Sequence, residues 1–315
     1  MRAFIFPGQG SQSVGMGQAL ADASAHAREV FQEVDDALEQ KLFALMAGGP
    51  GEDLQLTQNA QPAIMANAIA TLRVLEKEGG ISLADKGDCV AGHSLGEYTA
   101  LCAAGAIDLA TTARLLRLRG RAMQAAVPVG EGAMAALLGA DIDTATAIAA
   151  AAAKGADGEE VCTVANDNDP SQVVISGKRG AIERAIELAK DMGAKRAVLL
   201  PVSAPFHCSL MQPAAEAMEE ALSHAQVDRP MLPLYANVLA APISAPEEIK
   251  RRLVEQVTGM VRWRESVLAM VGAGHGRFVE IGGKVLGPMV KRTAPDAEAT
   301  SIVAMDDIEA LLKSL

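Results

Sequence analysis

The chain has 315 residues, 50% apolar and 21% charged, a composition typical of a globular protein with a sizeable core. Its 28 basic and 39 acidic residues give a net charge of −11, which argues against a nucleic-acid partner because phosphate binding needs a basic face. No stretch resembles a signal sequence or the roughly 18 apolar residues of a membrane helix, and the four cysteines form no C-x-x-C pair; we therefore expect a soluble, cytoplasmic protein without disulfides.

The first 127 residues predict an α/β arrangement with parallel strands. Residues 2–6 are a short apolar strand, followed by the turn "PGQGSQ" and by helical patterns at about 15–46 and 62–78. A second strand, "DCVAG" at 88–92, leads directly into the helix that begins with "LGEYTALCAAG". A further helix follows at 111–126.

Residues 128–206 show a different pattern, which predicts an inserted subdomain. The order is strand (132–139), helix (143–154), the strands "EVCTVAN" and "QVVISG" around a "DNDPS" turn, helix ("KRGAIERAIELAKDMG") and strand (196–200). This strand-helix-strand-strand-helix-strand order is that of a ferredoxin-like unit. The larger subdomain then comprises 1–127 and 207–315, with "RFVEIG" as a further sheet strand.

The run "GHSLG" at 92–96 places a serine between two glycines, after a predicted strand and before a predicted helix. In this context a Cβ at either glycine would clash, and the tight turn exposes the serine hydroxyl. The N–H of Leu95 points into the same space and can stabilise an oxyanion. Ser94 is therefore the candidate nucleophile; the alternative is an ordinary loop between strand and helix.

A serine nucleophile needs a base, and His207 has the most suitable setting of the five histidines. It lies in "PVSAPFHCSLM", where prolines stiffen the approach and a helix begins directly after it. His93 adjoins Ser94, and neighbours on such a turn point in different directions. We therefore expect His93 to line the pocket rather than to act as the base.

The helix at 111–126 carries four arginines, and Arg119 falls on its apolar face. Burying a guanidinium without a partner is costly. One explanation is a structural ion pair. The other is an anionic ligand, because a guanidinium grips a carboxylate through two hydrogen bonds. The second explanation predicts an acyl substrate that carries its own free acid.

Several motifs, in order and over nearly the whole length, resemble the malonyl-CoA:acyl carrier protein transacylase family. They are "FPGQGSQ" (6–12), "TQNAQPA" (57–63), "GHSLGEYTAL" (92–101), "LRG" (118–120), "ANDNDPSQVVISG" (165–177), "PVSAPFHCSLM" (201–211) and "GGKVLGPMVKR" (282–292). The resemblance implies an α/β fold with a hydrolase-like parallel-sheet core and an inserted ferredoxin-like (βαββαβ) subdomain, as the predicted elements suggest.

By motif position, the resemblance implies that Ser94 carries the acyl group and that His207 is its base. The N–H groups of Gln9 and Leu95 would form the oxyanion hole, and Arg119 would hold the malonyl carboxylate.

In place of a triad acid, the family orients its histidine with a main-chain carbonyl, which the "VRW" motif assigns to Gln256. Gln61 and Asn166 match family positions near the pocket. A phenylalanine before the histidine, here Phe206, accompanies a preference for malonyl over methylmalonyl groups in related domains.

The implied reaction is a ping-pong transfer of malonyl from malonyl-CoA to the phosphopantetheine thiol of holo-acyl carrier protein, in the supply of fatty-acid synthesis. The phosphopantetheine belongs to the substrates, so we expect no bound cofactor and no metal. Acyl carrier proteins are acidic, so a local basic patch should dock one. The candidate patches are Lys190, Lys195 and Arg196, or Lys284, Lys291 and Arg292. We expect a monomer.

Two other functions remain as alternatives. A serine esterase or thioesterase that hydrolyses acyl thioesters predicts a carboxylate in Ser…Asp…His order. No acid between Ser94 and His207 follows an evident strand, and this alternative leaves Arg119 unexplained. The second alternative is a non-catalytic binding subunit built on the same fold, which the set of chemical residues argues against.

Overall fold

The computed structural model describes residues 1–155 and 158–314. The strands of these residues are β1 (Arg2–Phe6), β2 (Cys89–Gly92), β3 (Gly132–Leu138), β4 (Lys154–Gly155), β5 (Gly158–Glu159), β6 (Cys162–Asp169), β7 (Gln172–Lys178), β8 (Arg196–Leu199), β9 (Leu234–Ala236), β10 (Ala241–Ile243), β11 (Arg277–Ile281) and β12 (Glu298–Ile302). None of the helices in this part of the chain is long and apolar enough to cross a bilayer.

The helices begin and end as follows: α1 (Gln18–Ala23), α2 (Ala25–Leu38), α3 (Leu42–Gly48), α4 (Gly51–Gln55), α5 (Thr57–Lys77), α6 (Leu83–Lys86), α7 (Gly96–Ala103), α8 (Leu109–Ala125), α9 (Ile142–Ala152), α10 (Arg179–Ala189), α11 (Gln212–His224), α12 (Pro246–Thr258), α13 (Trp263–Gly272), α14 (Leu286–Thr293) and α15 (Met305–Leu312). A short 3₁₀ turn over Ser209–Met211 leads into α11.

The larger sheet has six strands in the order β10-β9-β2-β1-β11-β12. Its pairings are parallel, except for β10, which runs antiparallel to β9 at one edge. The central strands β1 and β2 are almost entirely apolar and buried because helices cover both faces of the sheet. This confirms the predicted α/β core, as a mixed and mainly parallel sheet.

The helical patterns predicted at about 15–46 correspond to three separate helices, α1, α2 and α3. The break between α1 and α2 lies at Ser24, whose side chain accepts a hydrogen bond from the Ala27 N–H and caps α2. α2 ends at Leu38, because the next residue, Glu39, has a left-handed φ of +50° that stops the helix. The predicted helix at 62–78 begins earlier, at Thr57, and is almost wholly buried.

The smaller sheet has four strands in the order β6-β7-β3-β8, and all of its pairings are antiparallel. Alternate residues of β3 belong to different cores, as the two-residue period of a strand requires. Ala133, Ala135 and Leu137 pack with residues of α9 and α10. Met134 and Ala136 face the core that fills the space toward the larger sheet. The smaller sheet therefore has helices on one face and the rest of the molecule on the other.

The predicted turn over "DNDPS" is too long. β6 continues to Asp169, and the turn contains only residues 170 and 171. The polar run stays extended because its buried aspartates have charged partners. Asp167 lies 2.8 Å from Arg264 in α13, and Asp169 lies 2.8 Å from Arg292 in α14. These two ion pairs join the smaller sheet to helices of the larger one.

Candidate active site

Ser94 lies on a tight turn between β2 and α7, at the carboxyl edge of the larger sheet. Its φ is +53°, a left-handed conformation that is uncommon for a residue other than glycine. A Cβ on Gly92 would lie 1.9 Å from the carbonyl of Gly96, and one on Gly96 would lie 2.3 Å from the Phe6 oxygen. The turn therefore requires both glycines of the motif for reasons of space.

His207 contacts Ser94 directly. Its Nε2 is 2.8 Å from Ser94 Oγ, and its Nδ1 is 2.8 Å from the main-chain oxygen of Gln256. A carbonyl only accepts, so Nδ1 donates to it and Nε2 is left to accept from the serine hydroxyl. Burial and the positive charge of Arg119 lower the pKa of His207 to about 3. The imidazole is therefore neutral, the form that a general base needs.

Arg119, on α8, is only 1% exposed. Its Nη1 donates to Gln61 Oε1 at 2.8 Å, and its Nη2 donates to Gln256 Oε1 at 2.8 Å and to Ser94 Oγ at 3.2 Å. No carboxylate of the described residues lies within ion-pair distance of it, and burial lowers its pKa. The structural ion pair that the sequence left open is therefore absent from this part of the chain, and the guanidinium faces Ser94.

The backbone N–H groups of Gln9 and Leu95 lie on adjacent loops. Gln9 follows β1 and Leu95 follows β2, and these strands are paired, with Phe6 opposite Gly92. Within the described ranges no oxygen accepts from either N–H. The Gln9 side chain is held by a 3.2 Å hydrogen bond to Thr57 Oγ1. Both N–H groups are thus free to donate to a substrate oxygen near Ser94.

A layer of polar side chains beneath Ser94 has no counterpart in the sequence analysis. Asn237 Oδ1 accepts from the Ser94 N–H at 2.8 Å, and its Nδ2 donates to the Gly92 oxygen at 2.7 Å. The Gln256 side chain donates to the main-chain oxygen of Ser94 at 2.9 Å and to Glu97 Oε2 at 2.8 Å. Glu97 is fully buried, and burial raises its pKa to about 7. Its position in an apolar run directly after the motif is the signal that indicates it in the sequence.

His93 does not contact His207 through any hydrogen bond and points toward the smaller sheet instead. Its Nε2 is 2.8 Å from Asn168 Oδ1 on β6. Its ring lies 5.8 Å from the buried ring of Trp263, tilted by 57°. Burial lowers the pKa of His93, so it too is neutral. His93 forms part of the cavity wall, where the sequence analysis placed it.

A cavity of about 320 Å³ lies between the two sheets, and Ser94 opens into it. The larger sheet contributes the loops that carry Gln9 and Ser94, and the smaller sheet contributes Met134 and Val174. The sequence-predicted residues Gln61, Asn166 and Phe206 all line this space. The cavity therefore brings the predicted site residues together around one serine, with Gln256 directly behind the histidine.

The chain matches the model of the acyl transferase domain over residues 3–302. It is 43% identical over 314 residues to the malonyl CoA-acyl carrier protein transacylase of Bacillus subtilis, covering 99% of this chain and 96% of the relative. It is 42% identical over 301 residues to the enzyme of that name from Escherichia coli K12, covering 95% of each.

Solved structures agree with these relatives. The acyl-carrier-protein-S-malonyltransferase of Bartonella henselae is 51% identical, with a TM-score of 0.95 over 99% of this chain and 98% of its own. A malonyl-transacylase in complex with its type II PKS acyl-carrier protein is 38% identical, with a TM-score of 0.95 over 100% of this chain and 99% of its own.

Proposed function

The chain belongs to the malonyl CoA-acyl carrier protein transacylase family and is an acyltransferase, and from this premise we propose that it transfers malonyl from malonyl-CoA to a holo-acyl carrier protein. One observation carries the proposal. Ser94 Oγ lies within hydrogen-bond distance of both a neutral histidine and a buried arginine that has no ion-pair partner in the described part of the chain. The first group activates the serine, and the second selects an acyl group that ends in a carboxylate.

In the first half-reaction, Ser94 Oγ attacks the thioester carbonyl of malonyl-CoA while His207 Nε2 takes the hydroxyl proton. The negative charge on the carbonyl oxygen is stabilised by the N–H groups of Gln9 and Leu95. The intermediate then collapses, the C–S bond breaks, and His207 returns its proton to the departing coenzyme A thiolate. Malonyl is left as an ester on Ser94, with its carboxylate on Arg119.

The second half-reaction runs through the same groups in reverse. The phosphopantetheine thiol of the carrier protein gives its proton to His207 and attacks the malonyl ester. The bond to Ser94 Oγ breaks, and the serine recovers the proton from His207. Because each thiol enters after the other has left, the kinetics are ping-pong.

The chemistry above uses only side chains and main-chain N–H groups of this chain, so our proposal includes no cofactor bound by the enzyme and no metal. The phosphopantetheine is carried by coenzyme A and by the carrier protein. We assign the reaction to the supply of malonyl for fatty-acid synthesis. The cytoplasmic location and the monomeric state stay predictions.

We also propose that residues 128–206 are an inserted ferredoxin-like subdomain and that 1–127 and 207–315 form the hydrolase-like one. The order of the four antiparallel strands supports this assignment, because the first and third strands of this sheet along the chain, β3 and β7, are the central pair. The helices α9 and α10 pack together on one face of the sheet, as a strand-helix repeat requires.

For the carrier protein, we propose docking on the patch formed by Lys190, Lys195 and Arg196. All three are exposed, and within the described ranges none forms an ion pair. The strand that begins at Arg196 leads to Leu200 and Pro201 on the cavity wall. In the other candidate patch, Lys284 pairs with Asp307 at 3.4 Å and Arg292 pairs with Asp169. An acidic partner has less to gain from cations that already have partners.

The test is intact-protein mass spectrometry after brief mixing with malonyl-CoA, with and without holo-carrier protein. We expect a malonyl adduct on wild-type protein, none on Ser94→Ala, and transfer to the carrier when it is present. Free malonate as the main product in both tubes would identify a thioesterase and overturn the proposal. Unimpaired biological activity of Ser94→Ala would instead identify a binding subunit.

A further inference from the structure

Glu97 is a buried carboxyl group beneath Ser94 that the steps above do not use. It lies in the first turn of α7 and is 0% exposed. Its Oε2 accepts from Gln256 Nε2 at 2.8 Å and from the Asn237 N–H at 3.1 Å. Its Oε1 has no partner among the described residues. Burying an ionisable group with one oxygen unpaired is costly, so the group needs an explanation beyond packing.

Geometry alone does not require an acid at this position. The oxygen of a glutamine at 97 would accept the same two hydrogen bonds, without the cost of burying a charge. What the acid adds is a negative charge. This negative charge is linked to the positive charge of Arg119 through one intervening amide. Arg119 Nη2 donates to Gln256 Oε1 at 2.8 Å, and Gln256 Nε2 donates to Glu97.

The same glutamine also holds the base, because its main-chain oxygen accepts from His207 Nδ1. Gln256 thus joins the acid, the arginine and the histidine. We propose that Glu97 is a positioning residue for acyl transfer: ionised, it fixes the Gln256 amide and offsets the charge of Arg119, so that His207 takes the Ser94 proton more readily. Glu97 itself neither gains nor loses a proton in the reaction. This inference rests on the proposed function.

The titration of Glu97 can be separated from that of its neighbours, because those groups do not change charge near pH 7. In the described structure the charge of Glu97 interacts with Arg119 on α8 and with Tyr98 beside it on α7. Gln256 links Glu97 to His207, which His93 in turn influences. Burial raises the pKa of Tyr98 and lowers that of both histidines, so these three are neutral near pH 7.

Glu97 is therefore the group in this cluster that changes charge near neutral pH. Burial raises its pKa to about 7, although the hydrogen bonds from Gln256 and Asn237 and the charge of Arg119 oppose the shift. Since the ionised form is the active one, the rate constant for acylation should rise with pH through this range.

The experiment compares wild-type protein with Glu97→Gln from about pH 5.5 to about pH 9, the range in which a limb near neutrality is visible. The measured quantity is the second-order rate constant for formation of malonyl-Ser94 at low malonyl-CoA, by rapid quench and intact mass. The ratio of the two rate constants cancels the titration of the substrate's own phosphates. We expect the ratio of the wild-type rate constant to the Glu97→Gln rate constant to rise roughly tenfold as the pH rises through 7, which is the effect of one charge-assisted hydrogen bond.

Glu280→Gln is the matched control, because Glu280 is also 0% exposed but binds the N–H groups of Val285, Leu286 and Gly287. Its ratio to wild type should not depend on pH. A pH-independent ratio for Glu97→Gln overturns the inference. A wild-type rate constant that does not rise with pH near pH 7 overturns it as well, even if a variant fails to fold. Absence of any adduct on wild-type protein would instead defeat the proposed function.

Discussion

Arg119 carries its charge into the cavity with no carboxylate of the described residues within ion-pair distance, because Glu97 is linked to it only through the Gln256 amide. Its three hydrogen-bond partners, the amides of Gln61 and Gln256 and the hydroxyl of Ser94, are all uncharged. An anionic acyl group is therefore the partner that best compensates the buried guanidinium. At the scale of single residues, the proposed function therefore gives this side chain the selection of the acyl group that reaches the serine.

Arg119→Ala should weaken malonyl loading about a hundredfold and acetyl loading far less, since two charge-assisted hydrogen bonds are lost only with malonyl. The measurement is the rate of adduct formation on Ser94 from malonyl-CoA and from acetyl-CoA. Arg117→Ala is the control: Arg117 is also buried on α8, but its hydrogen bond goes to Asn59, outside the cavity. Equal losses of malonyl and acetyl loading in Arg119→Ala would contradict a carboxylate-binding role.

His207 should make the protein less stable in acid. Its pKa is about 3 in the folded protein and 6.5 in an unfolded chain, so between these values the unfolded chain binds a proton that the native one does not. The free energy of unfolding therefore falls as the pH falls through this window. His207→Asn lacks this contribution, and its Tm should fall less steeply from pH 6.5 downward.

Thermal unfolding across that window checks the prediction for His207. Ser94→Ala keeps the imidazole and should retain the wild-type slope. If His207→Asn shows the wild-type slope as well, the lowered pKa of His207 is refuted.

At the scale of elements, the strand-turn-helix unit that carries Ser94 depends on two glycines that have no room for a side chain. Gly92→Ala or Gly96→Ala should each lower the free energy of unfolding by on the order of 3 kcal/mol, because backbone atoms must move to admit a Cβ. Denaturant unfolding measures the loss. Gly48→Ala in α3 meets no atom within 4 Å, and should change stability by less than about 1 kcal/mol. Comparable losses in all three variants would contradict the argument.

Local sequence patterns predicted the strand-turn-helix unit that carries Ser94, but they did not predict long-range contacts. The turn at Ser94 follows from neighbouring residues, and so do the strands on either side of the smaller sheet's helices. The extension of β6 did not, because its aspartates are satisfied by Arg264 and Arg292, each about a hundred positions further along the chain.

The polar layer beneath the serine escaped prediction for the same reason. Asn237 contacts Ser94 across 143 positions, and the Gln256 side chain contacts Glu97 across 159. Composition and residue spacing do not predict which side chains meet over such distances along the chain. The family resemblance supplied the Gln256 carbonyl but not its side-chain bonds.

At the scale of the whole molecule, the proposed function has an acidic protein bind an acidic carrier, for which we propose a local basic patch. Lys195→Glu with Arg196→Glu should raise the KM for holo-carrier protein about tenfold and leave malonyl-Ser94 formation unchanged. The effect should shrink at high ionic strength, because exposed charges are screened. Lys284→Glu is the control, and an equal effect there would contradict docking on the patch of Lys190, Lys195 and Arg196.

Trp263 is the single tryptophan of the chain, and its buried indole packs beside His93, the residue before the nucleophile. Indole fluorescence responds to the charge and polarity of its surroundings, so the emission of this protein originates within one side chain of the reacting serine. Loading and unloading of malonyl should therefore change the emission of the unlabelled enzyme. The molecule carries its own optical reporter, which would allow each half-reaction to be followed in real time.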